Sequence, residues 1–163
     1  MFYGLTALGV VHTLISLLAV GAGVWAFVRD KQINPANRLG QVYTVTTVLT
    51  CLTGFGIFQH GGFGKPHALG VITLLVLAVA WWASKYGVLG RATRYVVMLC
   101  YSITLLFHMI PAITETSTRL PLGHPLLASA EDQALQTAAG VLFLLFLIGG
   151  TLQVLWLRKR PAG

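Results

Sequence analysis

Charge is what this sequence has least of: 9% of its 163 residues are Asp, Glu, Lys or Arg, and only four are acidic. With 56% of positions hydrophobic, the chain lacks the polar surface to coat a water-soluble globule, and lipid is the solvent that fits. Cysteine is nearly absent. Cys51 and Cys100 both lie inside apolar runs, where a free thiol behaves as a small hydrophobe, and they give no indication of redox compartment. No tight metal motif of close spacing is present, nor an arrangement of acid, base and nucleophile that would nominate a reaction. Internal repeats are also missing. The net charge of +7 is not built into a nucleic-acid surface, because the basic residues sit in short loops beside apolar runs and form no aromatic-interleaved patch.

What the chain has in abundance is long apolar runs. They are Leu5–Val28, Val42–Gln59, Ala68–Ala83, Tyr95–Ile113 and Thr137–Leu157, separated by segments rich in Gly, Pro and charge. Each is near the ~20 residues that cross a bilayer. Only helices or closed barrels satisfy backbone polar groups in lipid, and continuous runs lack the alternation of a barrel strand. The expected fold is therefore all-α: one transmembrane domain over residues 1–163, a bundle of about five spanning helices. The first run follows no basic n-region and is longer than a signal-peptide core, so it is expected to remain in the mature protein.

Orientation follows from the basic loops. Arg29, Lys31, Arg38, Lys85, Arg91, Arg94, Arg158, Lys159 and Arg160 fall on one side of the alternating spans, and only Lys65 and Arg119 on the other. Cytoplasmic loops retain positive charge, so the N-terminus is expected outside and the C-terminus in the cytoplasm, in a cytoplasmic (inner) membrane. All four tryptophans, Trp25, Trp81, Trp82 and Trp156, lie at the basic ends of their runs with Tyr86 and Tyr95 nearby, as in half of an interfacial aromatic belt. Arg38, after the helix-breaking Asn34-Pro35, reads as an anchor on that side. On the outer side, the segment Thr114–Gln136 is broken by Pro121 and Pro125 and then reads Ser129-Ala-Glu131-Asp132. That is a capping pattern for the fifth helix, with acids at its positive end.

None of the five histidines is on the cytoplasmic side. His12 lies roughly 10 Å and His108 roughly 8 Å below the outer ends of their runs at helical rise, so the two are expected to approach each other. His60 and His67 bracket the hairpin His60-Gly-Gly-Phe-Gly-Lys-Pro-His67, whose glycines permit a tight turn at the same mouth. His124 lies in the outer loop. Ionisable groups in lipid are costly and usually face an interior site, so His12, His60, His67 and His108 form a candidate metal-ligand set. The plainer alternative is that His12 hydrogen-bonds to a hydroxyl on a neighbouring helix while His60, His67 and His124 are interfacial residues.

Tyr101, Thr104, His108 and Glu115 recur at steps of three, four and seven, forming one stripe that should face the bundle; His12, Tyr101, His108 and Glu115 are the candidate cofactor-binding residues. Pro111 either loosens the turn holding His108 or ends the membrane part of the helix. The second run is rich in hydroxyls, at Thr44, Thr46, Thr47, Thr50 and Thr53, and Thr46, Thr50, Thr53 and Gly54 share a face. Close helix packing explains that face better than a polar pathway. The Gly149-Gly150 pair reads the same way.

The region Asn37 to Thr73 carries Asn-Arg-Leu-Gly-Gln, an apolar helix, Gly-Gly-Phe-Gly, His67 and a further apolar run. It resembles a family of bacterial multi-pass inner-membrane proteins with no assigned reaction, over less than a quarter of the chain. That family usually has a histidine before the corresponding arginine, where this chain has Asn37. In outline the chain is also similar to small membrane b-type cytochromes, helical bundles that present histidines from facing helices, though it carries no defining motif of theirs.

Three functions follow as expectations. The first is binding of haem b or a transition metal (zinc, copper or iron), with electron transfer as the activity, since neutral imidazole suits all of these. Glu115 would then be a further ligand, a hydrogen-bond partner or a proton carrier. The second is a non-catalytic accessory or assembly subunit of a larger membrane complex, or a homo-oligomer, contacting lipid. The third, ranked last, is a small transporter, because buried charges, paired broken helices and repeats are missing.

Overall fold

The computed structural model describes residues 6–58 and 62–160. Five helices account for most of them: α1 (Ala7–Asp30), α2 (Arg38–Gly54), α3 (Lys65–Tyr86), α4 (Thr93–Arg119) and α5 (Gln133–Arg158). A single 3₁₀ turn, Gly90–Ala92, leads into α4, and no strand occurs among the described residues. α1, α3, α4 and α5 are long and apolar enough to cross a membrane. α2, at 17 residues, is the shortest, about 26 Å at helical rise.

Local chemistry sets the ends. Thr6 caps α1 by accepting the Gly9 N–H at 3.1 Å, and Asn37 caps α2 through Gly40 N–H at 2.8 Å. At the far end of α1, Lys31 adopts the left-handed conformation that closes the helix, with φ 61°. The cap of α5 is Asp132, which accepts from Ala134 N–H at 2.8 Å, and not Ser129 as the spacing predicts. Ser129 instead accepts from Glu131 N–H at 3.1 Å and shapes the preceding turn. Pro111 does not end its helix, since α4 continues to Arg119 with the proline inside it. A proline ring removes one backbone donor and leaves the carbonyl four residues earlier, that of Phe107, without its helical partner.

Residue pairing fixes the arrangement. α1 and α2 run antiparallel, with His12 against Thr53 and Gly23 against Tyr43. α4 and α5 are antiparallel too, with Arg94 against Arg160 and Ser102 against Gln153. Neighbours in sequence pack as neighbours in space, and α1 also touches α4. α2 and α4 stand across the bundle from one another and meet through side chains alone. The packed core, Ala26, Ile33, Tyr43, Leu77, Ala80 and Tyr101, lies toward the basic end.

Gly23 lets α1 into this core. A Cβ there would sit 2.8 Å from Leu105 Cδ1 and 2.9 Å from the Tyr43 ring, well inside van der Waals contact. At the basic face, Lys85 lies 4.7 Å from the Trp81 ring, Arg94 4.9 Å from Tyr95 and Arg160 4.1 Å from Trp156. Three of the cations on this face thus stand over rings of the aromatic belt.

Candidate functional site

The interior between α1, α2 and α4 is polar. Its geometry begins with the threonines of α2. Thr44, Thr46, Thr50 and Thr53 each donate to the carbonyl one turn back, those of Gly40, Val42, Thr46 and Leu49, at 2.7–2.8 Å. The hydroxyl oxygens of Thr44, Thr50 and Thr53 then meet Tyr101, Ser16 and His12 of neighbouring helices. Thr47 points its hydroxyl across the bundle to His108 Nε2, 3.0 Å away.

The proton positions follow from this pattern. The Thr53 hydroxyl proton is committed to backbone carbonyls, so the 3.0 Å contact with His12 Nδ1 is an imidazole N–H donating to Thr53. His12 is assigned as the Nδ1–H tautomer, with its lone pair on Nε2. Its ring lies on Gly54, where a Cβ would come within 3.2 Å of His12 Cε1. Ser16 donates to the His12 carbonyl at 2.7 Å and approaches Thr50 at 3.4 Å.

Deeper in the bundle, Thr104 donates to the Tyr101 carbonyl at 2.9 Å, so the Tyr43 phenol is the donor in its 2.9 Å bond to Thr104. Tyr43 packs edge-on to His108 at 6.0 Å and 70°, and Tyr101 OH lies 3.2 Å from the Thr44 hydroxyl. Nearest the basic face, Ser102 donates to Gln153 Oε1 at 2.8 Å, and Gln153 Nε2 donates to the Lys31 carbonyl at 2.7 Å, linking α4, α5 and the end of α1. The result is a column of hydroxyl, phenol, amide and imidazole pairs through most of the bundle. Hydrogen bonds between membrane helices average about 0.6 kcal/mol and reach about 1.7.

The predicted site residues divide as follows. Tyr101, Thr104 and His108 are buried on the expected stripe. Glu115 is not: it is exposed and paired with Arg119. His12 and His108 meet the same helix, α2, at Thr53 and Thr47 respectively. His67 is buried at the start of α3, where its Nδ1 accepts the Gly64 N–H at 3.2 Å. Its ring lies between Phe58 and Phe63, with centroids 5.0 and 5.2 Å away. The His67 proton is therefore on Nε2, which is buried and unpartnered among the described residues. His124 is exposed, and His60 lies outside the described residues.

Among the described residues no three His, Cys, Asp or Glu side chains converge as a metal site would need. The small cavity between α4 and α5, about 10 Å³ and lined by Ile110, Thr114, Leu135 and Leu142, has room for no more than a water. The free lone pair of His12 Nε2 is the clearest remaining ligand atom. Sequence reasoning passes over Tyr43, Ser102 and Gln153. A signal exists for Gln153, which is the single amide inside the apolar run of α5. No protein-family model, no curated protein and no solved structure matches this chain.

Proposed function

We propose that this protein is a non-catalytic subunit of a larger assembly in the cytoplasmic membrane, with its basic, tryptophan-rich face toward the cytoplasm. The observation that carries this reading is the use of the buried polar groups. Tyr43, Thr47, Tyr101, Ser102, Thr104, His108 and Gln153 each bond to another helix of the same chain. Such groups hold helices in register, and a substrate would have to break them to be bound there. The test is to purify the chain gently from native membranes at its normal level and measure the size of the particle that carries it. A particle containing other subunits supports the reading. A chain that migrates alone, with stoichiometric metal or a haem spectrum, overturns it.

One observation favours a second reading, the binding of a transition-metal ion or haem b with electron transfer as its use. His12 is assigned its lone pair on Nε2, and its ring lies on Gly54, the residue level with Glu115 in the register of α2 and α4. One neutral imidazole and one carboxylate suit zinc, copper or iron, with further ligands from a second chain. Metal content and the optical spectrum of the same preparation decide between the two. In this reading His12→Ala abolishes bound cofactor and His124→Ala does not.

A further inference from the structure

The aromatic belt is one-sided. Its four tryptophans, with Tyr86 and Tyr95, stand on the basic face, so the opposite end of the bundle meets its leaflet through other residues. Depth along the helices locates them. A hydrocarbon core of about 30 Å takes about twenty residues of helix. Counted from Tyr95 on α4, that length ends at Glu115, and counted back from Trp156 on α5 it ends at Gln136, both exposed and polar. The outer edge of the hydrocarbon therefore runs level with these two residues. α4 goes on to Arg119 and α5 starts at Gln133. Each clears the edge by only about 4–6 Å at helical rise, which stays within a headgroup layer of about 5–7 Å per leaflet.

Residues 120–132 join these two ends and are held at the same level. Leu127 N–H donates to the Ser117 carbonyl at 3.0 Å and Leu126 N–H to the Leu120 carbonyl at 3.1 Å. Beyond that tie lies one turn, closed by His124 N–H on the Pro121 carbonyl at 3.1 Å, with Gly123 in its left-handed position at φ 82°. Since α5 packs against α4 alone, the loop that joins them lies at the rim of the bundle.

Its composition is unlike that of a loop in water. Residues 120–130 include no Asp, Glu, Lys or Arg, and Leu120, Leu122 and Leu126 are 48, 58 and 71% exposed. Leucines displayed so close together on an ordered, uncharged loop mark a contact surface. At this depth and at the rim, the first thing they meet is lipid. The headgroup layer is hydrated enough to satisfy the loop's backbone, and the acyl chains begin within reach of a leucine side chain. Charge borders the patch without entering it, with Glu115 paired to Arg119 and Lys65 to Glu131 at 2.6 Å.

We propose that the 120–127 loop is an interfacial anchor, lying in the headgroup layer of the outer leaflet with Leu120, Leu122 and Leu126 sunk into the acyl-chain boundary. It does on this side what the tryptophans do on the other. The test places one cysteine at a time, Leu122→Cys, Leu126→Cys or Ala130→Cys, in the full chain with Cys51 and Cys100 replaced by alanine. Each is labelled with bimane and its fluorescence quenching measured in phosphatidylcholine nanodiscs. Lipid brominated near the top of the acyl chains reports the boundary, and dissolved iodide reports water. Brominated lipid should quench the labels at Leu122 and Leu126 several-fold more than the label at Ala130, which is exposed beside the solvated Lys65–Glu131 pair. Iodide should rank them in reverse. Two leucine positions are read, so a variant that fails to fold leaves the other to decide. Equal bromine quenching at the leucine and alanine positions overturns the proposal. So does iodide quenching at the leucines as strong as at Ala130, which would leave the patch in water and open to a protein partner.

Discussion

His108 Nε2 and the Thr47 hydroxyl are 3.0 Å apart across the bundle, although the helices that carry them do not meet through their backbones. Tyr43 and Thr104 span the same gap one turn closer to the basic face. Both pairs share an offset of 61 residues, so α2 and α4 run parallel and in register. Long polar side chains fill a diagonal that aliphatic ones would fill less specifically, because a hydrogen bond fixes rotation and translation where dispersion tolerates sliding.

The tautomers form the first prediction. His12 should carry its proton on Nδ1, because Thr53 can only accept, and His67 on Nε2, because Nδ1 accepts the Gly64 N–H. Nitrogen-15 shifts of ring-labelled protein in bilayers distinguish the two. The opposite tautomer at His12 would remove its free Nε2 ligand atom.

Much of this was legible beforehand, because lipid enforces it. Apolar length gives five helices but not all their ends, since α2 is Arg38–Gly54 where the run is Val42–Gln59 and α4 continues past Ile113 to Arg119; steps of three and four place Tyr101, Thr104 and His108 inward. Glu115 continues the same stripe yet is exposed. The offset of 61 places it level with Gly54, the last residue of α2, so the helix that would cover it has ended. Periodicity reports the direction a side chain points, not how far its neighbours extend. That His12 bonds to a hydroxyl of a neighbouring helix was the plainer of the two expectations, and Thr53 is that hydroxyl; which hydroxyl each histidine meets depends on the register between helices and leaves no spacing signal in either one.

Two glycines of α1 should respond in opposite directions to alanine. At Gly21 a Cβ meets nothing within 4 Å, whereas at Gly23 it strikes Leu105 and Tyr43. Gly21→Ala should be neutral or stabilising by up to about 1 kcal/mol through helix propensity. Gly23→Ala should cost about 1–3 kcal/mol through overpacking. Reversible unfolding in mixed micelles measures both, and equal effects would mean that α1 does not pack as described.

Gln153→Leu deprives the Lys31 carbonyl and Ser102 of a partner and should destabilise the chain by about 1–2 kcal/mol. Thr151→Val, about half a turn away and exposed, loses only a bond to its own Leu147 carbonyl and should change little. The same unfolding assay compares them.

For topology, an impermeant thiol reagent applied from outside should label a cysteine at Gly62 and spare one at Ser84, with Cys51 and Cys100 replaced by alanine. The reverse pattern would invert the orientation.

The account rests on imidazoles that are spent on bonds between helices, and a double-mutant cycle of His108→Leu and Thr47→Val tests this most directly. Unfolding free energies of the four proteins in bilayer-like micelles give the coupling between the two side chains. The account predicts a favourable coupling of about 0.6–1.7 kcal/mol, with each single variant less stable than the parent. Additive losses with no coupling would contradict it, since His108 would then be free of Thr47 and open to another role.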